Sequence, residues 1–331
     1  MTSILVTSQA ADLLRARLSE IPGGDDVRLV TFGQADDHVL SQIRMALVSR
    51  DITGTSTKYV HSEALARFYD VLRAAGGLQW VHTHSAGLDR PIFGELQARG
   101  VAVTASSGAN AQVVAHTAVG AVLALARRFP QMMRRQARHE WRSLAVGDMP
   151  PDLPGQTAAI VGWGPIGQGI GALLSALGVR IVVARHSGVP VAQAAATTTY
   201  ADMASILREA HWLIIACPLA PATNRLVDAH MLAALPAGAH VVNVGRGEIL
   251  VERDLIAALD GGHLAGAFLD VFEQEPLPAN SPLWDREDVM ITPHSAGHAA
   301  GNYQRVLDIF LEKLAHRLQR ERAAAGRSQC S

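Results

Sequence analysis

Cysteine is nearly absent from this chain of 331 residues, which has only Cys217 and Cys330. Two cysteines so far apart can form neither a disulfide framework nor a CxxC metal or redox motif. We therefore expect no metal site. We also expect that the protein works in the reducing cytoplasm. The first ten residues have no basic start and no long apolar run, a pattern unlike that of a signal peptide.

The chain also lacks an excess of charge of either sign. There are 29 basic and 30 acidic residues, and charged residues make up only 18% of the sequence. Proteins that bind nucleic acids usually carry a strong basic excess, so we expect no nucleic-acid partner. Apolar residues reach 49%, more than a disordered chain would contain. The length predicts two domains.

Lysine is scarce, because Lys58 and Lys313 are the only two and 27 of the 29 basic residues are arginines. Six arginines form a cluster at positions 127, 128, 134, 135, 138 and 142. One interpretation is a nucleic-acid patch, and the other is a helix face that is solvated or forms an interface. We favour the second, because no aromatic residues are interleaved with the arginines.

Long unbroken hydrophobic runs are missing as well. Residues 158–179 are uncharged, but Pro165 and six glycines interrupt them. Such a break indicates a strand, a turn and a helix rather than a membrane span. We therefore expect no membrane association.

What the chain does contain is an alternation of short apolar runs and helical patterns. It predicts two doubly wound parallel-sheet domains of the α/β class. Strands are expected at 4–7, 27–32, 45–49, 80–85 and 101–106, and then at 158–162, 180–184, 212–217, 240–244, 265–270 and 289–293. Helices are expected at 12–18, 62–74, 109–128 and 301–321, with others between the later strands.

A glycine-rich turn follows the strand predicted at 158–162. It has the pattern GxGxxG, formed by Gly162, Gly164 and Gly167 with Pro165 and Ile166 between the last two. The first glycine allows the tight turn, the second lets a pyrophosphate approach the backbone, and the third lets helix and strand pack closely. Backbone N–H groups at the helix start then hold the phosphates. The context predicts a Rossmann-type dinucleotide site, whereas a P-loop is excluded because no GxxxxGK[ST] occurs.

The end of the next strand indicates which dinucleotide binds. An acidic residue usually stands there to bind the ribose 2′-hydroxyl of NAD, but the next acid in this chain is Asp202. Arg185 stands there instead, followed by His186 and Ser187. A guanidinium matches a 2′-phosphate, so we predict that NADP(H) is preferred and that NAD(H) remains possible.

Three later strands end in the polar residues Asn243, Asp270 and Thr292. The segments that begin there carry Arg246, Glu275 and His294. Parallel strands place such segments at one edge of the sheet, where ligands bind. An arginine can hold a substrate carboxylate, and a histidine can exchange a proton with the reacting oxygen. A carboxylate beside the histidine stabilises its charged form. This set suits hydride transfer between a nicotinamide and a 2-oxo acid.

The whole set of motifs resembles the D-isomer-specific 2-hydroxyacid dehydrogenase family. The matching stretches are VGWGPIGQGIG, CPLAPATNRLVD, VVNVGRGEILVERDL, GAFLDVFEQEPLP and TPHSAG. The resemblance implies that Arg246, Glu275 and His294 are catalytic. It also implies cofactor contacts at Cys217, Pro218, Thr223, Val244, Gly245, Arg246, Asp270 and His294, and substrate contacts at Ser85, Ala86, Gly87, Arg246 and His294. Cys217 itself is interpreted as a small buried residue and not as a nucleophile.

The resemblance further implies a Rossmann cofactor domain, residues 110–294, inserted into a flavodoxin-like substrate domain, residues 1–109 and 295–331. It implies a homodimer and NADPH-dependent reduction of a small 2-oxo acid, such as glyoxylate or hydroxypyruvate, to the D-2-hydroxyacid. The alternative is a dinucleotide-sensing binding protein with little turnover. A formate-type dehydrogenase is disfavoured, because that branch has Gln where this chain has Glu275. His116 and His298 also depart from the family pattern, and this leaves the natural substrate open.

Overall fold

The computed structural model describes residues 2–34, 36–54, 56, 60–144 and 149–328. The chain divides into two compact units. The first consists of Met1–Asn110 and Ala299–Ser331, and the second is the stretch between them, Ala111–His298. Cys330 lies outside the described residues.

The first unit is built on a five-stranded parallel sheet in the order β2-β1-β3-β4-β5. Its strands are β1 (Thr2–Val6), β2 (Val27–Thr31), β3 (Met45–Val48), β4 (Trp80–Thr83) and β5 (Ala102–Ala105). Its helices are α1 (Ser8–Leu18), α2 (Asp37–Ser41), α3 (Arg50–Thr53), α4 (Glu63–Ala74), α5 (Pro91–Ala98) and the last helix of the chain, α12 (Asn302–Ser328). This strand order is that of flavodoxin-like folds.

The second unit holds a seven-stranded parallel sheet in the order β12-β11-β10-β9-β6-β7-β8. Its strands are β6 (Thr157–Val161), β7 (Arg180–Ala184), β8 (Ala196–Thr198), β9 (Trp212–Ile215), β10 (Ala239–Asn243), β11 (Leu264–Leu269) and β12 (Val289–Ile291). Its helices are α6 (Ala111–Ala126), α7 (Phe129–Ala137), α8 (Pro165–Ala176), α9 (Ala204–Leu207), α10 (Ala229–Ala233) and α11 (Glu252–Asp260). The strand order reverses between β6 and β9, which marks the place where such sheets bind ligands.

The predicted fold class is confirmed, with differences at the ends of elements. Helix α1 starts earlier than predicted, because the Thr7 hydroxyl accepts a hydrogen bond from the N–H of Ala10 and caps the helix. Strand β8 was not predicted, since three half-buried residues at the sheet edge carry too little pattern. Helix α12 continues to Ser328, beyond the predicted end at residue 321.

Each sheet buries apolar side chains on both faces, as parallel sheets do. In the first unit, Leu5, Phe68 and Phe93 lie on one side of the sheet. On the other side, Leu14 and Phe310 pack with Trp80, whose ring stacks on Phe310 at 5.4 Å. Helix α12 therefore completes the core of the unit that contains the N-terminus, although it is far from it in sequence.

The arginine cluster serves packing within the second unit. Arg134 on α7 donates to the backbone carbonyls of Asp285 and Arg286, and Arg138 pairs with Glu287 at 2.8 Å. The planar fork of arginine carries several donors at once, which lysine cannot match. These contacts tie α7 to the loop before β12 and use part of the arginine excess structurally.

None of the helices in the described residues has the length and apolarity needed to cross a membrane. Within the same residues, no group of three or more His, Cys, Asp or Glu side chains is arranged to hold a metal ion.

Candidate active site

The glycine-rich turn connects β6 to α8 at the centre of the second sheet. Gly162 has a φ of 100°, and a Cβ there would lie 2.7 Å from the backbone of Cys217. A Cβ on Gly167 would lie 2.1 Å from the carbonyl oxygen of Gly162. A Cβ on Gly164, by contrast, would meet no atom within 4 Å. Gly162 and Gly167 thus permit close packing. Gly164 leaves the backbone approachable at the start of α8, as a pyrophosphate requires.

Arg185 stands at the end of β7, where its N–H donates to the carbonyl of Thr198 at 3.0 Å. Its side chain is half-buried, and no acidic residue in the described ranges forms an ion pair with it. His186 and Ser187 next to it are exposed. An arginine without a carboxylate partner at this strand end fits an anionic ligand group such as a 2′-phosphate.

A cavity of about 370 Å³ lies beside this strand end. Its lining includes His186, Tyr200, Leu226 and Met231, and the rings of His186 and Tyr200 are 6.4 Å apart. The combination of apolar walls and a few polar groups is typical of a site for a small organic ligand.

Cys217, after β9, forms the wall behind the glycine turn. Burial raises the pKa of its thiol to about 12, so the side chain is neutral near pH 7 and is a poor nucleophile. The neighbouring Thr223 is buried, and its hydroxyl donates to the carbonyl of Pro218 and accepts from the N–H of Ala220, both at 2.8 Å. Thr223 therefore stabilises the backbone of the loop that follows β9.

The loop after β10 carries Arg246 and is fixed by its own side chains. The buried Asn243 accepts from the N–H of Gly245 and donates to the carbonyl of Arg246, both at 3.1 Å. Gly247 lies so close to Phe272 that a Cβ would come within 1.8 Å of its carbonyl carbon. The arginine loop is thus packed directly on the segment that carries Glu275.

Glu275 and His294 form a hydrogen-bonded pair, with 2.8 Å between Oε2 of the glutamate and Nδ1 of the histidine. The other carboxylate oxygen accepts from the N–H of Phe272 at 3.2 Å. Burial raises the pKa of Glu275, but the contact with His294 and the charge of Arg246 outweigh it and hold the pKa below its usual value. The pair leaves Nε2 on the far side of the imidazole, where no described residue of this unit bonds to it.

Asp270, at the end of β11, holds the segment on which His294 lies. Its Oδ1 accepts from the hydroxyl of Thr292 at 2.6 Å and from the N–H groups of Ser295 and Ala296 at 2.8 and 3.0 Å. The N–H of His294 donates to the Asp270 carbonyl at 2.8 Å, and the histidine has a φ of 49°. Asp270 is buried, so the structure shows it as a support for the histidine, while its contact with the nicotinamide stays a prediction.

The second unit thus brings Arg246, Glu275, His294 and Asp270 to one edge of its sheet, with the glycine turn at the switch between β6 and β9. Val244 continues this edge, and its N–H donates to the carbonyl of Ile215 at 3.1 Å. Sequence reasoning noted Asn243 and Thr292 as polar strand ends but gave no role to them, although they fix two of the loops. A polar residue closing an apolar strand, as in HVVNV and VMIT, is the signal that points to both. Ser85, Ala86 and Gly87 belong to the first unit and follow β4.

The geometry agrees with a comparison against protein families. Residues 119–296 match the family model for the D-isomer specific 2-hydroxyacid dehydrogenase, NAD binding domain. The chain belongs to the D-isomer specific 2-hydroxyacid dehydrogenase family. It is therefore an oxidoreductase with a nicotinamide cofactor, and the predicted family is confirmed.

Several relatives with stated activities are similar to this 2-hydroxyacid dehydrogenase. A glyoxylate reductase from Thermofilum pendens is 31% identical over 256 residues, which cover 74% of this chain and 73% of the relative. An (S)-sulfolactate dehydrogenase from Chromohalobacter salexigens is 34% identical, with 78% and 81% covered. Among solved structures, the NADPH-dependent glyoxylate/hydroxypyruvate reductase from Sinorhizobium meliloti, in complex with NADP and sulfate, has a TM-score of 0.74 at 25% identity, covering 97% of this chain and 96% of its own. These relatives support 2-oxo acid reduction in general.

Proposed function

We propose that this dehydrogenase reduces a small 2-oxo acid to the D-2-hydroxyacid with NADPH. The observation that carries the proposal is the 2.8 Å contact between Glu275 and His294, with the Arg246 loop packed on the same segment. An acid/base pair next to a guanidinium is the set that reduction of a carbonyl beside a carboxylate requires. Glyoxylate and hydroxypyruvate are the candidate substrates, because two of the reported relatives are named for their reduction.

The protein's own residues act on the proton and on the charge of the substrate. Arg246 binds the carboxylate, which fixes the 2-oxo group relative to the imidazole. His294 donates the proton from Nε2 to the carbonyl oxygen as that oxygen becomes a hydroxyl. Glu275 accepts from Nδ1 and stabilises the imidazolium before the transfer. When bound, the reduced nicotinamide supplies the hydride to the carbonyl carbon.

We propose that NADP(H) is preferred over NAD(H). Arg185 supports the preference, because it stands at the end of β7 without a carboxylate partner among the described residues. The glycine turn fits either dinucleotide, since both carry the same pyrophosphate. The preference is therefore assigned to Arg185, with His186 and Ser187 as additional donors.

Turnover tests the proposal directly. Purified protein should oxidise NADPH when it is given glyoxylate, hydroxypyruvate or another short 2-oxo acid. The reaction is monitored by the loss of absorbance of the reduced nicotinamide. The 2-hydroxyacid should accumulate in equal amount, as achiral glycolate from glyoxylate and as the D-isomer of glycerate from hydroxypyruvate. Tight NADPH binding without turnover on any member of the panel would contradict the proposal and favour a dinucleotide sensor.

We further propose a cytoplasmic homodimer. The stretch 123–141 of the second unit exposes four large apolar side chains, those of Leu123, Phe129, Met133 and Trp141. Apolar groups exposed in one region are typical of an interaction surface. Light scattering should give a molar mass twice that of the 35.2 kDa chain. The Phe129→Ser substitution should lower the measured mass towards that of a single chain. A single-chain mass for the unchanged protein would exclude the homodimer.

A further inference from the structure

Helix α11 begins with a residue that cannot cap it. Its N-cap position is Val251, whose side chain has no oxygen to accept a hydrogen bond from the N–H groups of the first turn. The N–H of Glu252, the first residue of the helix, donates instead to Oε1 of Glu273 at 3.1 Å. A carboxylate at this end also interacts favourably with the helix dipole. The start of α11 is therefore capped by a side chain from a different segment of the second unit.

A second hydrogen bond joins the same two residues in the opposite direction. The N–H of Glu273 donates to Oε2 of Glu252 at 3.4 Å, so each carboxylate accepts from the backbone of the other residue. Burial raises the pKa of Glu252, the hydrogen bond from Glu273 opposes this rise, and the negative charge of Glu273 adds to it. Because two carboxylates repel each other, the backbone hydrogen bonds and not the charges stabilise this contact.

Glu252 and Glu273 lie on the two segments that carry Arg246 and Glu275. Glu252 belongs to the segment that runs from Arg246 into α11, and Glu273 is separated from Glu275 by a single residue. Gly247 adds a second contact between the segments, because a Cβ there would lie 2.4 Å from the nitrogen of Glu273. The capping contact therefore fixes the start of α11 relative to the segment of Glu275.

The pKa of Glu275 depends on the relative position of these segments. Burial raises this pKa, whereas the hydrogen bond with His294 and the charge of Arg246 lower it. The N–H of Phe272 also donates to the carboxylate at 3.2 Å and favours its ionised form. Among these groups only Arg246 lies on the segment that leads into α11. A displacement of that segment would weaken the effect of Arg246 and raise the pKa of Glu275.

We propose that Glu273 is a positioning residue, which caps α11 across the two segments and thereby holds Arg246 beside the Glu275 carboxylate. The inference rests on the proposed function and deepens it, because it names a residue that supports the proposed catalytic set from outside. Glu273 acts through the backbone N–H of Glu252. Its removal should change the ionisation of Glu275 and leave the cofactor site at the glycine turn unchanged.

The test is a titration of the Glu275 carboxyl carbon by carbon-13 NMR, in protein labelled at its glutamates, from about pH 7.5 to about pH 4. The resonance is identified by its absence in Glu275→Gln. In Glu273→Ala the cap is lost, so the pKa of Glu275 should rise and its resonance should begin to move at a higher pH. Glu273→Gln removes the charge but keeps an oxygen that can accept from Glu252. In that variant the pKa of Glu275 should stay or fall, because the loss of a nearby negative charge favours an ionised carboxylate.

A matched control separates positioning from the loss of a helix cap in general. Oδ2 of Asp254 accepts from the N–H of Ala229 at 3.0 Å, so this carboxylate also caps a helix, α10, from another segment. Asp254→Ala should lower the thermal stability as Glu273→Ala does, but it should not raise the pKa of Glu275. Glu273→Asp is a second, milder variant, because it keeps the charge and shortens the reach. It should raise the pKa of Glu275 as Glu273→Ala does.

Turnover provides a second measurement. In Glu273→Ala, kcat for a 2-oxo acid should fall by about threefold to tenfold, the loss expected for one hydrogen bond, and Glu273→Gln should restore it. The Kd for NADPH should be the same in all variants.

The pKa of Glu275 separates this inference from the proposed function. A rise in Glu273→Ala and Glu273→Asp alone supports the inference even if no 2-oxo acid is reduced, a result that would contradict only the proposed function. An unchanged or lowered pKa in both variants would overturn the inference, and normal turnover of the unchanged protein would leave the proposed function standing. An equal rise in Asp254→Ala would also overturn it, since any lost cap would then have the same effect.

Discussion

The two units present different chemistry at the carboxyl ends of their parallel strands. In the second unit, charged side chains stand there, with Arg246 close enough to Glu275 to influence its pKa and His294 bonded to the same carboxylate. In the first unit, hydroxyl groups stand there, and Ser85, Ser106 and Ser107 bind backbone carbonyls. The titratable side chains at the first of these edges are those that we propose for proton transfer, whereas the serine hydroxyls at the other edge hold backbone carbonyls at the end of β4 and in the loop after it. The same kind of sheet thus presents charged side chains in one unit and an ordered loop backbone in the other.

The two units share a second feature, a histidine packed against a tryptophan, which is buried in the first unit and half-buried in the second. His82 lies beside Trp80 in the first unit, and His240 stacks on Trp212 at 4.4 Å in the second. Burial lowers the pKa of both rings, to about 3 and about 4. These two neutral histidines belong to the packing of each unit, in contrast to His294, whose side chain is about half exposed.

We propose that His294 in the second unit transfers the proton, and His294→Ala tests this with the largest expected effect. Removing the acid/base group should lower kcat by about a hundredfold to ten-thousandfold. The Kd for NADPH should stay within a factor of two or so, because the phosphates bind elsewhere. His230→Ala is the control, since His230 is exposed on α10. Unchanged turnover would remove His294 from the mechanism.

Glu275→Gln sharpens the same assignment. The amide keeps the size of the side chain but cannot stabilise an imidazolium as a carboxylate does, so kcat should fall by about tenfold to a hundredfold. Glu287→Gln provides the control, because Glu287 also binds a basic group, Arg138, but on an exposed surface. Equal rates in Glu275→Gln and the unchanged protein would show that the pair is structural only.

Cofactor selection is the next effect in size. Arg185→Ala should lower kcat/KM with NADPH by about tenfold to a hundredfold, the range for hydrogen bonds to charged groups, and leave kcat/KM with NADH nearly unchanged. Arg180→Ala is the matched control, because Arg180 starts the same strand and pairs with Glu209 at 2.8 Å. A preference for NADH in the unchanged protein would refute the role of Arg185.

The last prediction concerns the stability contributed by the two histidines of lowered pKa that both units share. Above about pH 6.5 the unfolded histidine is neutral like the folded one, so the full stability is present. As the pH falls from 6.5 towards 4, the unfolded state binds protons that the two rings do not bind in the folded state. The free energy of unfolding therefore falls. The slope is at most about 1.4 kcal/mol per pH unit for each ring, and for His82 the loss continues towards pH 3.

Urea unfolding between pH 7.5 and 4.5 measures this slope. The His82→Gln variant should lose stability at pH 7.5 and show a shallower decline towards pH 4.5 than the unchanged protein. His116→Gln is the control, because His116 is exposed on α6. Equal slopes in all three proteins would contradict the neutral, buried state of His82.

Much of the site was predictable from local pattern. The glycine turn, the strand ends and the Arg, Glu and His set are short motifs whose geometry follows from a parallel sheet. The supporting contacts were not predictable. Asp270 was expected at the nicotinamide, which stays a prediction, and its carboxylate also accepts hydrogen bonds from Thr292, Ser295 and Ala296, which the sequence did not predict. The sequence shows that Asp270 follows an apolar strand, but only the packing decides which N–H groups donate to its carboxylate.

The sequence by itself determined the α/β class, the dinucleotide turn and the strand ends that carry Arg246, Glu275 and His294, because each follows from a short local motif. The tertiary structure decided what distant segments do to one another. It placed Gly247 against Phe272, ran α12 into the core of the first unit, and set the hydroxyls after β5 against the loop after β4. Such contacts depend on distances between strands that no local pattern encodes.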